Sequence, residues 1–128
     1  MTLDLSTTAH FAGLSETTDF EDATRETAAI DNFIHSRRGT GGFETWRVYV
    51  GGTKLAAAVR FGVNLTGHTG IVHGGATAAV FDELFAWSSR LCVPAEHAGD
   101  YFTANVSIDY RGTLTVNTDG ECGQLWRA

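Results

Sequence analysis

The sequence predicts an α+β domain in which an antiparallel sheet wraps around a central helix. Three observations lead to this prediction: two strand-like runs separated by glycines at 43–63, one strongly apolar helix at 74–91, and a later run with strand-like alternation at 101–110. A sheet and a helix each have an apolar face to bury, so packing the strands on the helix satisfies both. The length of 128 residues fits one compact domain.

The N-terminal part predicts a flexible lead-in followed by an extra helix. Residues 1–18 are rich in Thr and Ser and show little periodicity, so we expect a flexible segment there and a single domain over 19–128. From Asp19 to Ile34 the apolar positions recur every three or four residues, which is the spacing of one helical face. Acidic residues in the first turn and arginines near the end interact favourably with the helix dipole. The glycines at 39–42 end the predicted helix.

The strands and the central helix follow in order. Residues 43–50 are aromatic and β-branched, two glycines at 51–52 supply a turn, and residues 54–63 resume a strand, so we expect a β-hairpin. After a loop at 64–73, apolar residues surround nearly the whole circumference of the helix, which predicts burial on most sides. The run at 101–110 predicts a further strand, and 113–116 begins one more.

Composition argues against several classes of protein. With 9 Lys+Arg against 15 Asp+Glu the net charge is −6 and no basic stripe appears, so we expect no nucleic acid among the partners. No apolar run approaches the roughly 20 residues of a membrane span. The two cysteines fit neither a zinc site nor a disulfide framework, and no metal or cofactor is predicted. Without a targeting signal, a cytoplasmic protein is the expectation, with import into an organelle left open.

The strongest chemical signal is the run GHTGIVHGG at 67–75, followed seven residues later by Asp82. Its last three residues, His73, Gly74 and Gly75, are called the HGG motif below. The two glycines begin the apolar helix, where backbone amides are unpaired and lie at the positive end of the dipole. Such amides stabilise the oxyanion that forms during acyl transfer or hydrolysis. A tight turn explains the glycines alone, and a loop histidine explains His73 alone, so the signal is their combination with Asp82.

The spacing within the helix predicts a site shared between subunits. Seven steps of about 100° return Asp82 to nearly the face of Gly75, roughly 10 Å further along the axis. Reacting groups lie about 3 Å apart, so groups at these two positions of one helix are too distant to share a substrate carbon. We therefore expect a homodimer or homotetramer in which two such helices run antiparallel. A carboxylate placed for the helix dipole, or one that faces a solvated gap, is the structural alternative for Asp82.

The HGG motif with Asp82, within GHTGIVHGGATAAVFDE, resembles the signature of hotdog-fold acyl-CoA thioesterases, in the branch of the phenylacetyl-CoA-type thioesterases. The run TANVSIDYR at 103–111 resembles the strand that this branch carries downstream, and the resemblance spans about 43–118. It implies a hydrolase of the hotdog fold that acts on acyl-CoA without a cofactor. It also implies dimers or tetramers with active sites between subunits.

The resemblance further implies roles for individual residues. Asp82 is the expected base or nucleophile. The amides of Gly74 and Gly75 are the expected oxyanion hole, within a motif that includes His73. Thr103 is expected to contact the water or the acid. Two residues are expected at the substrate. Many relatives carry an Asn at the position of Gly67, for which the neighbouring His68 is the expected substitute. Apart from the resemblance, coenzyme A has an anionic nucleotide end, and Arg111 is the expected cation for it, with Arg60 behind it. A solvated charge at the end of a strand is the structural alternative for both arginines.

The end of the chain and the histidine of GHTG leave two alternatives open. About two more strands follow the downstream strand in the family, whereas 16 residues follow Gly112 here, so the resemblance implies a C-terminally truncated domain. One alternative is therefore a catalytically inactive hotdog module that binds acyl-CoA or a partner. The other is a 3-hydroxyacyl thioester dehydratase, because its acid and base stand fourteen residues apart, as His68 and Asp82 do.

Overall fold

Antiparallel strands and one long helix account for about half of the chain that the computed structural model describes, which comprises residues 11–17, 33–97 and 102–116. The chain is α+β, as predicted. The strands are β1 (Ser15–Thr17), β2 (Phe43–Gly51), β3 (Lys54–Phe61), β4 (Thr66–His68) and β5 (Ile71–Val72), and the helix is α1 (Gly74–Cys92). Short 3-10 helices lie at His35–Arg37, Val63–Leu65 and Ala95–His97. Among these elements, no helix is long and apolar enough to cross a membrane.

The predicted β-hairpin is confirmed. Strands β2 and β3 pair antiparallel, and the register places Gly51 opposite Lys54. The turn therefore lies at 52–53, one residue later than expected, and Gly52 adopts a φ of +60° that favours glycine. Strand β1 pairs with the other edge of β2, which gives the order β1-β2-β3.

Of the expected flexible lead-in over 1–18, only residues 11–17 are described, and residues 1–10 and 18 lie outside the described residues. Residues 11–17 lie against the sheet, because the Phe11 side chain is 4% exposed and meets the Tyr49 ring edge-on at 4.8 Å between centroids. Most of the helix predicted from Asp19 lies outside the described residues. Where the last turns of this helix were expected, the structure has a turn at 33–34 and the 3-10 helix His35–Arg37. Ile34 is buried in the core.

The main core lies between one face of the hairpin and α1. Alternate residues of each strand point to this face, as the two-residue period of a strand requires. The opposite face of the hairpin is covered by a second, smaller cluster around Phe11 and Tyr49. The buried side chains of the main core come from both strands, the helix and their neighbours: Ile34, Phe43, Trp46, Val48, Leu55, Ala57, Val59, Phe61, Val72, Val80, Leu84 and Trp87.

Helix α1 buries one face rather than most of its circumference. Its buried positions are Thr77, Val80, Leu84, Trp87 and Ser88, which recur every three or four residues. The prediction of burial on most sides is wrong for the single chain, because the described sheet packs against the helix from one side only. Phe85, on another side, is 38% exposed.

The strand predicted at 101–110 does not form in the described residues. Residues 102–113, called the 102–113 segment below, belong to no strand. The expected strand at 113–116 is reduced to an isolated bridge between Ile71 and Thr115. Alternation of apolar residues favours a strand only where a neighbouring strand supplies hydrogen bonds and a surface to pack on. The side chain of Phe102 shows the result, because it is 89% exposed.

A bidentate ion pair ties β1 to β2 and makes part of the stability pH-dependent. The Arg47 guanidinium donates two hydrogen bonds to the Glu16 carboxylate, with Nε to Oε1 at 2.8 Å and Nη2 to Oε2 at 2.5 Å. These hydrogen bonds lower the pKa of Glu16 below 4.5, and the positive charge of Arg47 acts in the same direction against partial desolvation. A carboxyl group whose pKa is lower in the folded than in the unfolded state stabilises the fold at a pH above its unfolded-state pKa. This stabilisation is lost as the pH falls through the folded-state pKa.

Glu16→Gln is therefore expected to lower the free energy of unfolding at pH 7 by about 0.5 kcal/mol, a small effect because both side chains are partly exposed to screening solvent. The difference from the unmodified chain should shrink as the pH falls below 4.5. Urea unfolding of both proteins across this range measures it. A difference that stays constant on acidification would show that the ion pair does not cause it.

Candidate functional site

The HGG motif begins α1 and forms a closed cap. His73 is the N-cap residue with extended backbone angles, and its Nδ1 accepts a hydrogen bond from the Gly75 N–H at 2.8 Å. A nitrogen that accepts cannot carry a proton, so this contact requires a neutral imidazole with its proton on Nε2. The next two amides, of Ala76 and Thr77, donate to the backbone oxygen of His73.

Glycines on both sides allow the His73 ring to lie this close to the backbone. A Cβ atom at Gly75 would stand 2.9 Å from Nδ1, and one at Gly67 would stand 3.1 Å from Cδ2. A side chain at Gly75 would therefore displace the ring. A side chain at position 67 would also crowd it. The Gly75 amide, expected in the oxyanion hole, is instead taken up by the side chain of His73.

Gly74 presents the one open amide of the first helical turn in the described structure. Its N–H has no acceptor among the described residues, whereas its carbonyl oxygen accepts a hydrogen bond from the Tyr110 hydroxyl at 2.8 Å. The Tyr110 ring lies 3.5 Å from where a Cβ of Gly74 would be, which is ordinary van der Waals distance. The open N–H lies at the positive end of the α1 dipole, where it favours a developing negative charge.

The structure brings Asp82 and Thr103 together from positions 21 residues apart. The Thr103 hydroxyl donates to Oδ1 of Asp82 at 2.5 Å, the short distance typical of a hydrogen bond to a carboxylate. Asp82 is half-buried on α1, and its Oδ2 has no donor within the described part of the chain. The adjacent carboxylate, Glu83, accepts from Nε1 of Trp87 at 2.9 Å and is thereby engaged within the helix. Asp82 is the carboxylate that faces the 102–113 segment.

Asp82 and Gly74 do not meet within one chain. They lie eight positions apart on the helix, about 12 Å along its axis. The Thr103 and Tyr110 contacts mark the two ends of this stretch of helix. One chain therefore presents a carboxylate at one position and an open amide at another.

The two residues expected at the substrate lie apart from this arrangement. His68 is exposed in β4, and no hydrogen bond or ion pair joins it to Asp82 or to the HGG motif in the described ranges. Arg111 is 87% exposed at its side chain, 3.6 Å from the Asp109 carboxylate. Tyr110, which sequence reasoning did not single out, does reach the helix start. The sequence signal that could have pointed to Tyr110 is its place in the TANVSIDYR run, seven residues after Thr103.

The described residues contain no group of three or more His, Cys, Asp and Glu side chains that could hold a metal ion. Cys92 is an exposed free thiol at the last position of α1, and Cys122 lies outside the described residues. The chain matches no family model, no curated protein and no solved structure.

Proposed function

We propose that this chain is an acyl-CoA thioesterase, which hydrolyses an acyl-CoA to the free acid and coenzyme A. The observation that carries the proposal is the hydrogen bond from Thr103 to Asp82. It holds one oxygen of a half-buried carboxylate in a fixed direction and leaves the other without a donor among the described residues. A carboxylate in this state is suited to bind and activate a water molecule, or to attack a carbonyl itself.

The open Gly74 amide supplies the second half of the chemistry. The oxygen of a thioester carbonyl placed against this N–H becomes an oxyanion during attack and is stabilised more strongly than in the ground state. Because His73 occupies the Gly75 amide, Gly74 is the donor in this proposal. His73 then acts by holding the helix start in shape.

The hydrolysis balances with Asp82 as general base. Water adds to the thioester carbon while Asp82 takes its proton, and the negative charge passes to the oxygen at Gly74. The tetrahedral intermediate then expels the coenzyme A sulfur, which receives the proton from Asp82. In the nucleophilic route Asp82 forms a mixed anhydride with the acyl group, releases the thiolate, and is freed when water hydrolyses the anhydride. Both routes use the same two groups and no cofactor.

The proposal includes a homodimer or homotetramer. Because about 12 Å of helix separates Gly74 from Asp82, the carboxylate of one subunit has to act with the amide of another. An antiparallel arrangement of two α1 helices about a two-fold axis brings each Asp82 near the partner's Gly74 and forms two equivalent sites. The side of α1 that carries Phe85, which is 38% exposed, lies away from the described core.

Free-thiol release from a panel of acyl-CoA esters tests the proposed function, with the molecular mass measured by size-exclusion chromatography on the same sample. We expect turnover from a dimer or a tetramer. Binding of acyl-CoA without turnover would instead indicate the inactive module. Hydration of a 2-enoyl-CoA without thiol release would indicate the dehydratase, for which no hydrogen bond or ion pair joins His68 to Asp82 in the described ranges.

Gly74→Pro is expected to lower kcat about 100-fold, because proline has no N–H to donate to the oxyanion. Proline is tolerated at the first helical position, and the extended ψ of 132° at His73 suits the residue before a proline. Gly74→Ala is the matched control, since it keeps the N–H and its Cβ meets Tyr110 at ordinary distance. Steady-state kinetics should show a small effect for alanine. Equal losses in both variants would contradict a role for the amide.

A further inference from the structure

The 102–113 segment is held on α1 by side chains rather than by a sheet. Thr103 contacts Asp82 and Tyr110 contacts Gly74, while the nearest backbone attachment on the C-terminal side of the segment, in the described residues, is the bond from the Val72 N–H to the Leu114 oxygen. Burial contributes little, because Phe102 is almost fully exposed and Tyr110 is more than half exposed. The polar contacts therefore decide where this segment lies.

The two contacts are not equivalent. From Thr103 to Tyr110 an extended chain can reach about 23 Å, whereas the helix between Asp82 and Gly74 spans about 12 Å. The chain between the two contacts is thus longer than the distance that it spans. Thr103 can therefore leave Asp82 unless a nearby residue of the segment is held in place. Tyr110 is that residue. Without it the next attachment on the C-terminal side of Thr103 is at Leu114, so the unanchored stretch on that side lengthens from seven residues to eleven.

We propose that Tyr110 is a positioning residue of this site, a proposal that rests on the function proposed above. Its hydroxyl, bonded to the Gly74 oxygen, holds the 102–113 segment along α1 and thereby keeps the Thr103 hydroxyl on Asp82. Tyr110 acts on the reaction through Thr103 and does not touch the reacting carboxylate. The same bond places the tyrosine ring beside the residue whose N–H is the proposed oxyanion donor.

A double-mutant cycle with Tyr110→Phe and Thr103→Val tests this proposal. Phenylalanine keeps the ring and removes the hydroxyl, and valine keeps the shape of threonine without its hydrogen bond. If Tyr110 acts through Thr103, Tyr110→Phe lowers kcat about tenfold in the unmodified chain and less than about twofold in the Thr103→Val background. Ser107→Ala is the matched control, because Ser107 is an exposed hydroxyl residue of the same segment with no hydrogen bond described, and it should leave kcat unchanged.

A second readout does not depend on activity. The NMR signal of the Thr103 methyl group in Tyr110→Phe should shift toward its position in Asp82→Ala, in which the bond is absent, and should stay in place in Ser107→Ala. Additive effects on kcat, or an unmoved methyl signal, would overturn the positioning role. A chain that releases no thiol from any acyl-CoA would remove the proposed function, and the methyl signal would still decide whether Tyr110 holds Thr103 on Asp82.

Discussion

Asp82→Asn is expected to lower the rate of acyl-CoA hydrolysis about 1,000-fold, within the range that loss of a general base produces. Asparagine has the shape of aspartate, and its carbonyl oxygen can still accept the hydrogen bond from Thr103. The 102–113 segment should therefore stay on α1, while the side chain can no longer take a proton from water or attack a carbonyl. Thiol release under saturating acyl-CoA measures the loss, and circular dichroism checks the fold.

Glu83→Gln is the matched control for this variant. The residue is the next one on the same helix and carries the same charge, and glutamine can still accept the bond from Nε1 of Trp87. We expect less than about a twofold change in rate, because this carboxylate is engaged within α1. A loss as large in Glu83→Gln as in Asp82→Asn would show that negative charge on the helix matters rather than the carboxylate at Asp82. Full activity in Asp82→Asn would remove Asp82 from the mechanism.

Leu84→Ala is expected to lower the free energy of unfolding by about 3 kcal/mol. The side chain is 2% exposed and lies in the core between α1 and the hairpin, so truncation removes buried methyl groups and leaves a cavity. Urea unfolding at one fixed protein concentration measures the change, since association also contributes to the stability of an oligomer.

Val63→Ala provides the comparison for Leu84→Ala. Val63 is an aliphatic residue that is more than half exposed, and its truncation should cost less than about 0.5 kcal/mol. A small loss in Leu84→Ala, comparable to that in Val63→Ala, would mean that α1 does not pack on the hairpin as described. The position of Asp82 two residues earlier on the same helix would then lose its structural basis.

The elements that sequence reasoning predicted well are those whose signals are local. The hairpin of β2 and β3 follows from β-branched and aromatic runs around a glycine turn, and α1 follows from a long apolar run that begins at the HGG motif. The predictions that were wrong concern elements whose structure depends on a neighbouring element. Alternation at 101–110 predicted a strand, yet a strand forms only beside another one, and the burial of α1 depends on how many layers cover it. Strand β1, with three residues, is too short to show a period.

The residues of the site also divide into those that the sequence predicted and those that it did not. Asp82 and Thr103 were paired through the resemblance to a family, and the structure places them in contact. The assignment of the Gly75 amide to the oxyanion hole could not foresee the cap, because which amide a histidine takes depends on the orientation of its ring. Tyr110 was missed for a related reason. Its bond to Gly74 joins residues 36 positions apart, and no periodicity of the sequence encodes that distance.

Activity regained on mixing two inactive variants tests the central claim most directly, namely that Asp82 of one subunit acts with the Gly74 amide of another. Asp82→Asn and Gly74→Pro, unfolded together and refolded, form mixed dimers in which one of the two sites has both groups intact. Random pairing predicts about a quarter of the normal thiol release from acyl-CoA. Each variant refolded alone should stay near its own low rate. A mixture no more active than the average of its components, in a sample shown by mass to contain mixed dimers, would contradict a site shared between subunits.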